Sequence, residues 1–209
     1  MNYTVLQLFS MPVAICHQSF TPTKQMFDKI KKINKFRPNE GKNKSSLDTK
    51  ILEDEIFKPL KTFVTGHLKN YAHRFFHIKE KVNFYVTQSW LNFNDKETYH
   101  HLHSHPNSII SGVYYFSGEN TNITFHRDRG LFPGFLFDYN KFDIFNSEEY
   151  TVDIKPGQLI LFPSSLKHSV KINTSSKQRI SLAFNSFITG DIGEENLLTK
   201  IIINNKGDI

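Results

Sequence analysis

Sulfur is almost absent from the chemistry this chain can offer. Among its 209 residues Cys16 is the only cysteine, so neither a disulfide framework nor a thiolate zinc site can be built within the chain. Any metal must be held by imidazole or carboxylate. Long apolar runs are missing too. Nothing approaches the roughly 18 apolar residues of a membrane span, and the segment from Met1 to Ile15 lacks the basic start of a secretory signal. The chain therefore reads as soluble, intracellular and cytoplasmic, with no membrane partner. It has no internal repeat. The net charge of +6 comes from scattered lysines interspersed with Asn and Ile. That pattern favours a solvated basic surface over a polyanion-binding face, leaving a nucleic-acid partner possible but not favoured.

What is abundant is phenylalanine. Twenty Phe and eight Tyr, within 38% hydrophobic and 14% aromatic content, supply one sizeable core and favour strands over a helical bundle. The expectation is a single domain over residues 1–209.

Along the chain, Tyr3 to Phe9 reads as an edge strand ended by Pro12. Thr21-Pro22-Thr23 marks the start of a helix running to about Ile33, and Asn34 to Lys50 is polar enough to be a loop. From Ile51 to Phe75 apolar residues recur at helical spacing, with Pro59 as the expected kink. From Val82 the period becomes two, with Val82, Phe84, Val86, Gln88, Trp90 and Asn92 on one face. Strands are then expected at Ile109 to Phe116, Asn122 to Phe125, Tyr150 to Ile154, Gln158 to Phe162, His168 to Ile172 and Arg179 to Phe187. Lys155-Pro156-Gly157 is a type II turn signal, and the insertion from Arg129 to Ser147 holds five Phe. Many short strands with turn signals point to an antiparallel sandwich or jelly roll.

The chemistry concentrates in histidine. His100, His101, His103 and His105 lie within six residues, and His168 follows much later. In an extended segment residues i and i+2 share a side, so His103 and His105 can chelate together while Ser104 points away. Neutral imidazole is the commonest ligand of first-row metals. A solvated loop is the competing account of the cluster by itself. Arg179 stands in an otherwise apolar strand, whose period places Ser181, Ala183 and Asn185 on its face. A guanidinium there must have a partner.

Four motifs in order, His103-Ser104-His105-Pro106-Asn107-Ser108, Ser111-Gly112-Val113-Tyr114-Tyr115, Pro156-Gly157-Gln158 through His168-Ser169-Val170, and Arg179 to Asn185, resemble the Fe(II)/2-oxoglutarate-dependent oxygenases. The chain looks most similar to a group found in phages and aquatic bacteria, and more distantly to the prolyl hydroxylases. The Leu8-Phe9-Ser10-Met11-Pro12-Val13 start resembles that group as well. The resemblance implies a mainly β fold with flanking α: a double-stranded β-helix (jelly roll, cupin-like) over residues 81–190, an N-terminal strand and helices over 1–80 packed on one outer sheet face, and a C-terminal extension over 191–209.

It further implies Fe(II) and 2-oxoglutarate as cofactors, O2 as cosubstrate, and hydroxylation of an unidentified substrate with release of succinate and CO2. Carried onto this sequence, the metal ligands are His103, His105 and His168. His105 stands where most of these enzymes have Asp or Glu, which leaves Asp128 or His101 as alternative ligands. Arg179 and Tyr115 would hold the distal carboxylate of 2-oxoglutarate, with Ser181, Asn185 and Asn92 also lining the cofactor pocket; for Tyr115 a core role is the alternative. Gln88, Trp90 and His126 would line the substrate space, with core packing the rival role for Trp90. No general base or nucleophile from the chain is required. Two other classes remain: a three-His cupin-like metalloenzyme without 2-oxoglutarate, and a non-catalytic jelly-roll binding module with a structural metal. The segment Asn34 to Lys50 and the aromatic insertion are the expected lid over a substrate of unassigned class.

Overall fold

The computed structural model describes residues 3–128, 130 and 132–204. Arg129, at the head of the insertion, and the last five residues of the extension lie outside the described residues. Two antiparallel sheets form the body, in the order β1 (Ala14–Cys16), β2 (Phe36–Pro38), β3 (Lys44–Ser46), β4 (Asn83–Asn94), β5 (His100–His103), β6 (Ile110–Ser117), β7 (Asn122–His126), β8 (Glu149–Asp153), β9 (Leu159–Pro163), β10 (His168–Val170), β11 (Arg179–Ile192) and β12 (Ile201–Ile203). The larger sheet runs β1-β9-β6-β11-β4-β3-β2, with β12 paired to β11; the smaller runs β5-β10-β7-β8. Helices α1 (Lys24–Lys31) and α2 (Lys58–Phe75) precede most of the strands.

Two cores explain why these layers stay together. On one face of the larger sheet, Leu60, Val64 and Leu68 of α2 and Met26 and Ile30 of α1 pack with Leu91, Tyr114, Leu182 and Phe184. Each such side chain contributes roughly 1.5–3 kcal/mol by leaving water. On the other face, Val113, Tyr115, Ile160, Phe162 and Ala183 meet Ile123 and Phe125 of the smaller sheet. The helices thus cover one outer face while the two sheets close on each other. Gly112 lies where β6 passes beneath Phe184: a Cβ there would come within 2.5 Å of that ring.

Thr23, within the expected Thr21-Pro22-Thr23 start, caps α1, its Oγ1 accepting from the Met26 amide at 3.3 Å. Several other local expectations change. Tyr3 to Phe9 is not a strand. The edge position beside β9 is taken by β1, and a left-handed turn at Phe9 (φ 59°) interrupts the extended path. Pro59 opens α2 rather than kinking it, because the preceding residues form two short 3-10 turns, Ile51–Glu53 and Glu55–Phe57. Asn34 to Lys50 is not a loop but carries the β2–β3 hairpin on β4, with Asn43, Ser45 and Ser46 buried.

The uniform period of β4 also fails. Asn185 pairs with Gln88 and Ser186 with Val86, so Thr87 is an extra residue, a β-bulge. It turns Phe84 and Leu91, of opposite parity, to the same core, and leaves Trp90, Asn92 and Asn94 facing the smaller sheet. No helix among the described residues is long and apolar enough to cross a membrane.

Candidate metal centre

Strand register brings the separated histidines together. His103 ends β5 and is the direct partner of His168, which opens β10. His105, two residues on, is fixed by its amide donating to the Ser164 carbonyl at 2.9 Å. The ring nitrogens of His103, His105 and His168 then lie within 4.8 Å of one another.

The outer nitrogens decide what the inner ones can do. His103 Nδ1 is 2.8 Å from the His101 carbonyl, His168 Nδ1 is 2.9 Å from the Leu166 carbonyl, and His105 Nδ1 is 2.5 Å from Asn185 Oδ1. Each partner is an acceptor, so each Nδ1 carries the proton and each Nε2 presents a lone pair. His103 Nε2 and His105 Nε2 sit 3.2 Å apart, the spacing of two imidazoles that share one ion at about 2.1 Å. Burial holds His168 down to about 2 and His103 down to about 4, and lowers His105 as well, although the Asn185 contact opposes that shift. Three neutral, convergent acceptors with no protein donor between them fit a divalent first-row ion. Behind His105, Ser111 Oγ donates to Asn185 Oδ1 at 3.0 Å and joins a hydroxyl chain through Ser164 to Ser108.

The neighbouring space is electrostatically unusual. A cavity of about 30 Å3 is lined by His103, His105, His168, His100, Trp90, Asn92, Asn94, Tyr115, Ser181 and Arg179, with no Asp or Glu among its walls. Arg179 is 2% exposed, and the only side-chain hydrogen bond it makes among the described residues is a 3.4 Å contact from Nη2 to the Lys171 carbonyl. Among the described residues it has no acidic partner. Burial lowers its pKa, yet a guanidinium stays charged. Tyr115 faces the same space, its hydroxyl reaching only the Asn122 carbonyl at 3.4 Å and its pKa pushed up to about 12 by burial. Asn92 is anchored by Ser45 Oγ at 2.7 Å.

Other expected residues fall elsewhere. Asn185 stands behind His105 and lines an outer cleft of about 330 Å3, together with Gln88, Trp90, Arg37 and Ser104. Trp90, His100, His103 and His105 border both spaces. His126 bonds Ser169 Oγ at 2.8 Å and lines a different groove, beside Arg127 and Tyr150. Asp128 is turned outward to Lys167 at 3.0 Å and belongs to neither histidine triad. His101 joins only a second grouping with His100 and His103. Sequence reasoning missed Asn94 and gave His100 no role. Asn94 was accessible to it, being two residues beyond Asn92 on the same strand face.

Fold and site together define a two-sheet β protein with a buried cluster of three histidines facing an unpaired arginine. Residues 88–185 match the family model described as "Putative 2OG-Fe(II) oxygenase". Among solved structures, HygX from Streptomyces hygroscopicus, crystallised with nickel and 2-oxoglutarate, superposes with a TM-score of 0.58 at 10% identity, over 84% of this chain and 82% of that one. SnoK, the non-heme alpha ketoglutarate dependent carbocyclase from nogalamycin biosynthesis, gives 0.57 at 10% identity over 89% and 84%. A Pseudomonas putida prolyl-4-hydroxylase gives 0.50 at 12% identity over 85% and 94%. At these identities the likeness is one of fold. No curated protein matches the chain in sequence.

Proposed function

We propose that the protein is an Fe(II)- and 2-oxoglutarate-dependent dioxygenase, acting as a hydroxylase on a substrate of unassigned class and releasing succinate and CO2, with residues 81–190 as its catalytic core. The observation that carries this reading is Arg179: a buried guanidinium without an acidic partner among the described residues, in one cavity with three convergent imidazole acceptors. A buried charge needs a counter-charge. A dicarboxylate with a metal-chelating oxoacid end supplies one while reaching the histidines with the other.

His103, His105 and His168 would hold the iron. Arg179 would take the distal carboxylate bidentately, with Tyr115 donating to it and Ser181 and Asn92 bordering the chain of the cosubstrate. Coupled decarboxylation to succinate and CO2, with the second oxygen atom of O2 entering a substrate C–H bond, is the chemistry that iron and 2-oxoglutarate supply when bound. Asn185 and the serine chain keep His105 in the tautomer that exposes Nε2. The inner cavity of about 30 Å3 has room for about one water molecule. Cosubstrate entry therefore requires its walls to part, and the 330 Å3 cleft on the far side of Trp90 and His105 gives the direction. That cleft, walled by the β2–β3 hairpin through Arg37 and Ser45, is where the substrate would present its C–H bond.

The test is anaerobic addition of Fe(II) and 2-oxoglutarate, read by their visible charge-transfer band. The wild type develops the band and His168→Ala does not; metal-loaded wild type without a band overturns the reading. The all-nitrogen donor set favours one second reading, a three-His cupin-like metalloenzyme that uses no 2-oxoglutarate. It predicts metal binding unaffected by 2-oxoglutarate.

A further inference from the structure

Asn94 is 2% exposed, yet its side-chain Nδ2 is buried with no hydrogen-bond partner among the described residues. Leaving a buried amide donor unpaired costs on the order of 1–3 kcal/mol, so such atoms in native proteins mark a missing partner. The place of this one is specific. Asn94 is the direct cross-strand partner of Arg179 in the β4–β11 ladder, and both line the small histidine cavity. Its backbone is held from behind, the carbonyl accepting from Asn173 Nδ2 at 2.9 Å. Asn173 in turn accepts from the Ser175 amide at 3.1 Å and donates to the Lys177 carbonyl at 2.9 Å. The strand end carrying Asn94 is therefore fixed, and its free amide lines the same cavity as a guanidinium that has no acidic partner among the described residues. Two buried donors in register call for one acceptor with several lone pairs. No Asp, Glu or other acidic wall of the cavity provides it.

We propose that Asn94 is a further positioning residue of the cosubstrate pocket, donating through Nδ2 to the distal carboxylate that Arg179 binds, and so selecting a dicarboxylic over a monocarboxylic 2-oxoacid. The proposal rests on the 2-oxoglutarate reading above and adds to it a residue and a selectivity. A guanidinium alone satisfies a carboxylate edge-on. A third donor from the neighbouring strand fixes the rotation of that carboxylate and, through it, the length of oxoacid that reaches the histidines.

The experiment measures dissociation constants of 2-oxoglutarate and of 2-oxobutyrate, which keeps the oxoacid end and lacks the distal carboxylate, by anaerobic titration of the Fe(II)-loaded protein. Asn94→Leu keeps the volume and removes the amide; Asn94→Asp keeps the shape and substitutes an anion that pairs with Arg179. Expected are a weakening of 2-oxoglutarate by about tenfold or more in Asn94→Leu, a larger loss in Asn94→Asp, and an unchanged 2-oxobutyrate constant in both. An unchanged 2-oxoglutarate constant in folded variants, or equal weakening of both oxoacids, overturns the role of Asn94 while leaving the oxygenase reading intact. A wild type that binds neither oxoacid overturns the reading itself. Circular dichroism and the unfolding midpoint establish that each variant is folded. Should Asn94→Leu not fold, Asn94→Asp carries the same comparison.

Discussion

A wide surface groove and the histidine cavity are built on opposite terms. The groove, about 730 Å3, is lined by Met11, Val13, Ile15, Ile144, Tyr150 and the edge strand β8. Beside it the aromatic insertion forms a hollow of about 560 Å3 with Phe132, Phe135 and Phe137, all more than half exposed. Those rings mostly touch one another, Phe132 with Phe137 and Tyr139 with Phe142. The histidine cavity is more than twentyfold smaller, yet it gathers three unshared imidazole lone pairs, a buried guanidinium and an orphaned amide. Volume measures what a surface can admit. Buried polar groups without protein partners show what a site was built to hold. No described residue of the insertion lines either histidine space, whereas the other expected lid segment, Asn34 to Lys50, is a wall of the cleft.

The sharpest way to break this contrast is to remove the charge at its centre. Arg179→Leu should weaken 2-oxoglutarate by at least about 100-fold, since a buried bidentate charge pair is lost. The same change should leave the urea midpoint of the ligand-free protein unchanged or raise it, because it removes a buried charge with no partner. Tyr150→Ala in the wide groove should alter neither. Titration calorimetry with the metal-loaded proteins and urea unfolding check both arms. A large destabilisation in Arg179→Leu would show that its role is structural, and a loss of 2-oxoglutarate binding in Tyr150→Ala would erase the distinction between the two regions.

A smaller effect separates the ligands from what holds them. Asn185 touches His105 on the side away from the other histidines. Asn185→Leu removes the acceptor that fixes the tautomer and orientation of that ring, and should cost about tenfold or more in divalent-metal affinity, within the range for such supporting partners. Competition against a chromogenic chelator reads it. If affinity is unchanged, His105 is not a ligand, and a site of His103 and His168 alone would need its third donor from elsewhere.

How much of this was legible in the sequence depends on the period of each segment. Ser111 to Tyr115 of β6 and Ser181 to Asn185 of β11 keep a regular register with each other, so the faces of Ser181 and Tyr115 could be read directly. β4 could not be read that way, because the bulge at Thr87 adds one residue that no residue type announces. The hairpin at 36–46 was hidden for a different reason. Its serines and asparagine look solvated in composition but are buried as hydrogen-bonding walls, Ser45 on Asn92 and Ser46 on the Leu91 amide. For Asn185 the strand period says nothing of the tertiary pairing that sets its side chain against His105 Nδ1. His126 follows Phe125 by one residue, which on a strand turns it to the opposite face, where it lines the wide groove.

The smallest predicted effect contrasts the two regions in stability rather than binding. In the folded, metal-free protein burial holds His168 near a pKa of about 2, against 6.5 for the unmodified group. An unfolded chain therefore takes up a proton at His168 below pH 6.5 that the folded protein refuses. Stability contributed by the neutral site is complete above that value and lost as pH falls below it, by about 1.4 kcal/mol per pH unit for this one group. The urea midpoint of metal-free protein should be flat from pH 8 to 7 and decline between pH 6.5 and 5.5, before most carboxylates titrate. His168→Leu should make that decline shallower, whereas Tyr150→Ala should leave it as it is. A midpoint independent of pH across this window would mean that the histidines open to water without the metal, and the contrast between a closed, charge-excluding cavity and an open groove would not hold.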